Sequence, residues 1–294
     1  MKINIFVVES PLQILSASEA AAIDIKARNI IIVRYSGYRR SNDEHMKHAI
    51  SIFEWAEIIE FTAWSSSKFF FHVSIIKFLM KIEGRFKDPI DSVYIGDFRS
   101  EWMHYIRCIL RPLNAVLVDD GAAVISIHKD YISKNIYWPI IEGRSFLKKT
   151  INNLIYSSFY NGTIAAEKVK LFTAFDFLES ETEIIKNNYS FLRKKSIDKK
   201  IDTSIAYHFG SKYSEAKIVS LKDELCFLEK VFEFYNSEKL RVFYVPHRDE
   251  DIVKIDKISS LFNVDVKYLH MPAEVYFAEA DYIPACISSA YSSS

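Results

Sequence analysis

Two adjacent carboxylates, Asp119 and Asp120, stop the apolar run Ala115–Val118, and Gly121 follows them at once. Acids at the carboxyl end of a buried parallel strand stand where open α/β sheets bind ligands, and a glycine there lets the chain turn away and a ligand approach the backbone. Like charges side by side favour a raised proton affinity on one of them, which suits a general base near neutral pH. The same residues also read as a strand ending in solvent, with Asp120 as a helix N-cap.

Other strand ends carry their own chemistry. In "YVPHRDE", Pro246 fixes the backbone before His247, whose imidazole can bind an anion or give it a proton, and Arg248 adds a fixed charge. The bland counterpart is a surface turn of mixed charge. In "CISSAYSSS", Ser288 and Ser289 follow an apolar run that begins at Tyr282. Serines there cap a helix, and a helix start with hydroxyls also receives a phosphate. In "YHFGSKYSE", Gly210 and Ser211 form a small loop after a strand, suited to a phosphate or a sugar. It matches neither a Walker loop nor a GxGxxG fingerprint, and the chain contains neither motif. HExxH, paired CxxC and GxSxG are absent too, which argues against a zinc site and a serine-hydrolase elbow.

These residues need elements to hold them. Short apolar runs predict strands at 3–9, 29–35, 56–62, 92–97 and 114–120, and amphipathic stretches predict helices at 11–27, 43–56, near 66–83 and 100–110. Strands apolar on both faces and separated by helices imply a doubly wound parallel sheet. Residues 126–200 are less regular, with an apolar run at 170–175 and a lysine-rich linker, "RKKSIDKK", at 193–200. A second series follows: strands at 203–210, 240–247 and 264–269, and helices at 222–236, 251–262 and 273–280. The expected organisation is two domains, 1–190 and 201–294, facing across a cleft, with no sequence repeat between them.

Composition sets limits. The chain has 294 residues, and 38 Lys and Arg balance 38 Asp and Glu, so no global charge draws it to nucleic acid and any anion is held locally. The 17 Tyr and 22 Phe serve a core or sugar stacking. Cys108, Cys226 and Cys286 are scattered and read as buried thiols in a reducing compartment. The opening "MKINIFVVESPLQ" reads as a first strand rather than a signal peptide, and no stretch reaches 18 apolar residues, so a cytoplasmic protein is expected. The lysine-flanked apolar stripe at 68–87 suits either a membrane surface or packing on its own sheet.

Taken together, the motifs resemble those of bacterial sialyltransferases of the glycosyltransferase family 52 and family 38 type. Those families carry an acidic pair with glycine, a His-Pro motif and a serine motif, in that order. Here they look like Asp119-Asp120-Gly121, Pro246-His247 and Ser288-Ser289, and "VVESPLQILSASEA", with Ser10 and Gln13, resembles the families' "SPLQ" opening. One departure is clear: the families' proline follows the histidine, whereas here it precedes it. The resemblance implies a GT-B-like α/β fold of two Rossmann-like domains. It implies a metal-independent, inverting transfer of sialic acid, or a related nonulosonic acid, from a CMP-activated donor to a glycan hydroxyl of lipooligosaccharide or capsule. Cofactors are not implied. Asp120 matches the base, His247 the group that stabilises the leaving phosphate, and Ser288 and Ser289 the phosphate contacts. Gly210, Ser211 and Pro246 fall on the donor side, where Glu274 is matched to the nucleotide. Ser10, Gln13, Asp119 and Gly121 fall on the acceptor side. A same-fold enzyme with another nucleotide sugar, and a non-catalytic ligand-binding protein, remain the competing expectations.

Overall fold

Strand β1 (Ile3–Val8) is buried at every position, as a strand covered by helices on both faces must be. The computed structural model describes residues 1–63, 67–139, 155–177, 181–195, 198–247 and 250–289. It divides into two compact units, Met1–Leu192 and Arg193–Ser294.

In the first unit, β1 is followed by β2 (Arg28–Tyr35), β3 (Glu57–Thr62), β4 (Ser92–Ile95), β5 (Asn114–Val118), β6 (Val169–Thr173) and β7 (Ile184–Lys186). They form one seven-stranded sheet in the order β3-β2-β1-β4-β5-β6-β7, and every pair is parallel. The winding reverses between β1 and β4, so the topological switch point lies there. The connections include α1 (Pro11–Ile23), α2 (Arg40–Ile50), α3 (Lys68–Glu83), α4 (Glu101–Leu110), α5 (Ala123–Asp130), α6 (Gly162–Ala166) and α7 (Ser190–Lys194). One side of the sheet packs Ile5, Val7, Ile30, Val93 and Leu117 with Ile75, Leu79 and Ile82 of α3 and Met103 and Ile106 of α4. The lysine-flanked stripe of α3 is therefore spent on the core, leaving Phe70 and Met80 exposed. Among the described residues no helix is long and apolar enough to cross a membrane.

In the second unit, β8 (Lys200–Phe209), β9 (Arg241–Val245), β10 (Asp265–Val266) and β11 (Tyr282–Ser289) pair in parallel in the order β10-β9-β8-β11. This repeats the β3-β2-β1-β4 arrangement of the first unit. Helices α8 (Leu221–Ser237), α9 (Ile252–Phe262) and α10 (Ala273–Glu279) complete it. Ser220 caps α8 by accepting the Asp223 amide, and Asp251 caps α9 by accepting that of Val253. The core gathers Ala206, Val242 and Tyr244 of the sheet with Leu228, Phe232 and Tyr235 of α8 and Ile258 of α9. Ser288 and Ser289 prolong β11, because their backbone pairs with His208 and Phe209 of β8, and the residues after Ser289 lie outside the described ones.

Candidate functional site

In the first unit, Asp120 lies just past β5, beside the chain that leaves β1. Ser10 is the N-cap of α1 and accepts the Gln13 amide through its Oγ, with Pro11 starting the helix. From that turn the Ser10 hydroxyl donates to Asp120 Oδ1 at 3.2 Å, and Gln13 Nε2 donates to Oδ2 at 3.1 Å. Gln13 is itself fixed, because its Oε1 accepts the Glu9 amide at 2.8 Å. Gly121 has φ +65°, a left-handed conformation that favours glycine and turns the chain sharply after the acid. Both Asp120 oxygens thus accept from neutral donors, and among the described residues no cation pairs with it. Burial raises its pKa, the Gln13 and Ser10 donors pull it back, and the Glu9 charge pushes it up again. A half-buried carboxylate with fixed orientation and no counter-ion is chemically a proton acceptor.

Asp119 is not its partner. Successive side chains of an extended chain point to opposite sides, and Asp119 is buried, with Oδ2 accepting the Ala174 amide at 2.7 Å. It ties the end of β5 to the end of β6. Burial is the main cause of its raised pKa, and the neighbouring Asp120 charge the least of the causes. Repulsion within the acidic pair, expected from the sequence, is therefore secondary for both acids, because one carboxylate serves the backbone and the other the site.

The topology adds residues that the motifs did not indicate. Because β4 neighbours β1, Gly96 and Asp97 follow β4 at the switch point, and the Gly96 amide bonds Val7 O. A Cβ at Gly96 would overlap the Gln13 amide. The Asp97 carboxylate accepts the Arg99 amide at 2.8 Å. Its pKa is pushed up to about 6, first by burial, with the Arg99 amide opposing and the Glu9 and Asp120 charges adding to the rise. Glu9 is held by Arg34 Nε at 2.7 Å and Trp102 Nε1 at 2.9 Å. The Asp120 charge is thus one of the lesser causes of the rise at Asp97. Asp120→Asn removes that charge, so the Asp97 carboxyl is expected to titrate at lower pH, read by carboxyl NMR. An unmoved Asp97 titration would show that the two do not interact.

The second unit lines up the remaining residues along one sheet edge. Gly210 and Ser211 leave β8, Pro246 and His247 leave β9, and Ser288 and Ser289 end β11, with Ser289 paired to Phe209 and Phe209 to Val245. All six therefore lie at the carboxyl ends of parallel strands. The Gly210 amide donates to Val245 O at 2.8 Å. Ser211 is buried, His247 half-buried, and Glu274 exposed in the first turn of α10. The His247 amide donates to Glu250 Oε2 at 2.5 Å. Arg248 and the Ser289 side chain lie outside the described residues.

The Ser288 hydroxyl is turned towards α8, where it meets Tyr235 OH, and it lies 2.9 Å from His208 Nδ1. His208, which the motifs missed, is 1% exposed, and its Nε2 has no partner among the described residues. Burial pushes its pKa down to about 4, which keeps the ring neutral at physiological pH. The only sequence signal for it was a polar residue inside the otherwise apolar "AYHF". Among the described residues no three His, Cys, Asp or Glu side chains converge as metal ligands.

No family model matches the chain, and no curated protein matches it. Solved structures do. The UDP-GlcNAc 2-epimerase from Neisseria meningitidis bound to UDP-GlcNAc aligns over 100% of this chain and 78% of its own, with 12% identity and a TM-score of 0.51. The UDP-GlcNAc 2-epimerase from Methanocaldococcus jannaschii aligns over 95% and 76%, with 12% identity and a TM-score of 0.45. For the ADP-heptose lps heptosyltransferase II of E. coli the figures are 98% and 72%, 12% identity and a TM-score of 0.35. The likeness to the Neisseria enzyme, together with the two parallel sheets, identifies the fold as α/β and GT-B-like, built from two Rossmann-like doubly wound units.

Proposed function

We propose that the chain is an inverting glycosyltransferase that moves sialic acid, or a related nonulosonic acid, from a CMP-activated donor to a hydroxyl of a surface glycan. The observation that carries this reading is the Asp120 carboxylate, aimed by Ser10 and Gln13 at the switch point of the first sheet and, among the described residues, without a counter-ion. The glycosyl-transfer class draws on the GT-B-like fold, and the CMP donor on the family-like motifs at Asp119-Asp120-Gly121, Pro246-His247 and Ser288-Ser289. The first unit supplies the acceptor side and the second the donor side.

In the reaction the acceptor hydroxyl attacks the anomeric carbon as the bond to the CMP phosphate breaks. Asp120 takes the hydroxyl proton and CMP leaves with the bonding electrons. His247, as cation or general acid, meets the charge that develops on the phosphate, helped by the loop of Gly210 and Ser211 and by Ser289 at the end of β11, while Ser288 steadies that strand end through Tyr235 and His208. Pro246 fixes the turn that presents His247, and Glu274 contacts the nucleotide. Gly121 provides the turn after the base, and Asp119 secures the strand behind it. No metal is required, because the leaving group's charge is met by protein donors. An enzyme acting on glycan precursors would work in the cytoplasm, at the inner face of the membrane.

A second reading is a same-fold enzyme that takes another nucleotide sugar. The likeness to an epimerase solved with UDP-GlcNAc favours it. Melting curves with CMP, UDP and GDP separate the two. A ligand at a hundred times its Kd stabilises by about 2.7 kcal/mol, so CMP is expected to raise Tm clearly while UDP and GDP do not. A rise with UDP alone would replace the first reading with the second.

A further inference from the structure

Beneath the carboxyl edge of β8 and β9 lies an enclosed ammonium group. Lys254 of α9 is 4% exposed. Its Nζ lies 2.8 Å from Glu224, 2.9 Å from Glu250 and 3.0 Å from Glu215, and it donates to the Ser211 carbonyl at 2.7 Å. Each carboxylate in turn holds backbone. Glu250 accepts the His247 amide at 2.5 Å and the Tyr244 hydroxyl at 2.7 Å. Glu224 accepts the Ser214 amide at 3.1 Å, and Glu215 accepts the Asp251 amide at 2.9 Å. One side chain thus ties the loop 210–216 and the residues His247, Glu250 and Asp251 to each other and, through Glu224, to α8. The arrangement fits only because Gly210 has no side chain: a Cβ there would overlap Tyr244 OH and Glu250 Oε2.

Three carboxylates around one ammonium are a poor way to stabilise a fold. Desolvating them offsets most of their attraction, and apolar packing of the same volume does as well. Such a cluster does specify geometry, because losing any member leaves the others unsatisfied. We propose that Lys254 is a positioning residue for the donor: by holding the Ser211 carbonyl and, through Glu250, the His247 amide, it sets where the Ser211 and His247 side chains meet the donor phosphate. The proposal rests on the reading of this edge as the donor side.

Lys254→Met keeps the length and removes the charge. Glu250→Gln keeps the shape and weakens the tie more gently, should the methionine variant fold poorly. Hydrogen exchange of the full chain is expected to quicken at least tenfold at the amides of Ser214, His247 and Asp251, with the β8 amides unchanged. The KM for CMP-sialic acid is expected to rise about tenfold or more, with the acceptor KM within twofold, and Lys254→Arg is expected to restore part of the loss. A folded variant with unchanged exchange in both loops, or with the donor and acceptor KM rising together, would overturn the proposal. Quickened exchange in a protein whose wild type binds no cytidine nucleotide would uphold the tie and reject the donor assignment.

Discussion

Asp120→Ala is expected to lose about a thousandfold in turnover while still binding a cytidine nucleotide, since a positioned general base contributes ~10²–10⁴-fold. The two effects separate because Asp120 belongs to the first unit and the nucleotide contacts are assigned to the second. Stability moves the other way. Burial raises the folded-state pKa of Asp120, so the folded protein binds this proton more tightly than the unfolded chain does. Ionisation at neutral pH therefore works against folding, and this penalty is relieved as pH falls through the raised pKa. Asp120→Asn is neutral at every pH and is expected to keep or raise Tm while turnover collapses. Paired turnover and melting measurements check this. Activity of Asp120→Ala within tenfold of wild type would remove Asp120 from the mechanism.

Gly96→Ala is expected to be nearly as damaging to activity, although residue 96 takes no part in the chemistry. The added Cβ would overlap Gln13 Oε1 and come within 2.7 Å of its Cδ and 2.9 Å of its Cγ. Gln13 must rotate away, which breaks its bonds to Asp120 and to the Glu9 amide. The cost in stability is that of overpacking, about 1–3 kcal/mol. The functional signature is more specific. The Gln13 donor is the largest of the influences that lower the pKa of Asp120, so its loss raises that pKa and moves the acid limb of the pH–rate profile upward. A Gly96→Ala enzyme with an unshifted limb would mean that Gln13 does not tune Asp120.

The fold was largely legible because its signals are local. β1, β2, β4 and β5 are apolar runs broken by helical periodicity, and that alternation dictates parallel sheets. Strand order is not local, and this is why part of the site was hidden. Gly96 and Asp97 read as an ordinary strand end in "SVYIGD" until β4 is known to lie beside β1. Ser10 and Gln13 were found through a family-like opening; nothing in their spacing predicts that they meet an acid more than a hundred residues away. The units repeat a strand order without repeating sequence, so only pairing reveals the likeness. His208 and Lys254 were missed for a different reason. A polar residue in a strand and a lysine in an amphipathic helix look solvated, and their burial depends on partners from separate elements: Ser288 for the histidine, and three glutamates for the lysine. That the serine pair belongs to β11 was not legible, because only pairing with β8 shows it.

The most direct test is the release of CMP from CMP-sialic acid by the purified chain, followed with a glycan acceptor and excess chelator, beside UDP-GlcNAc as a rival donor. The proposed function predicts acceptor-dependent CMP release that survives the chelator and vanishes in Asp120→Ala. CMP-sialic acid left intact while UDP-GlcNAc is consumed, or turnover that stops with the chelator, would contradict it.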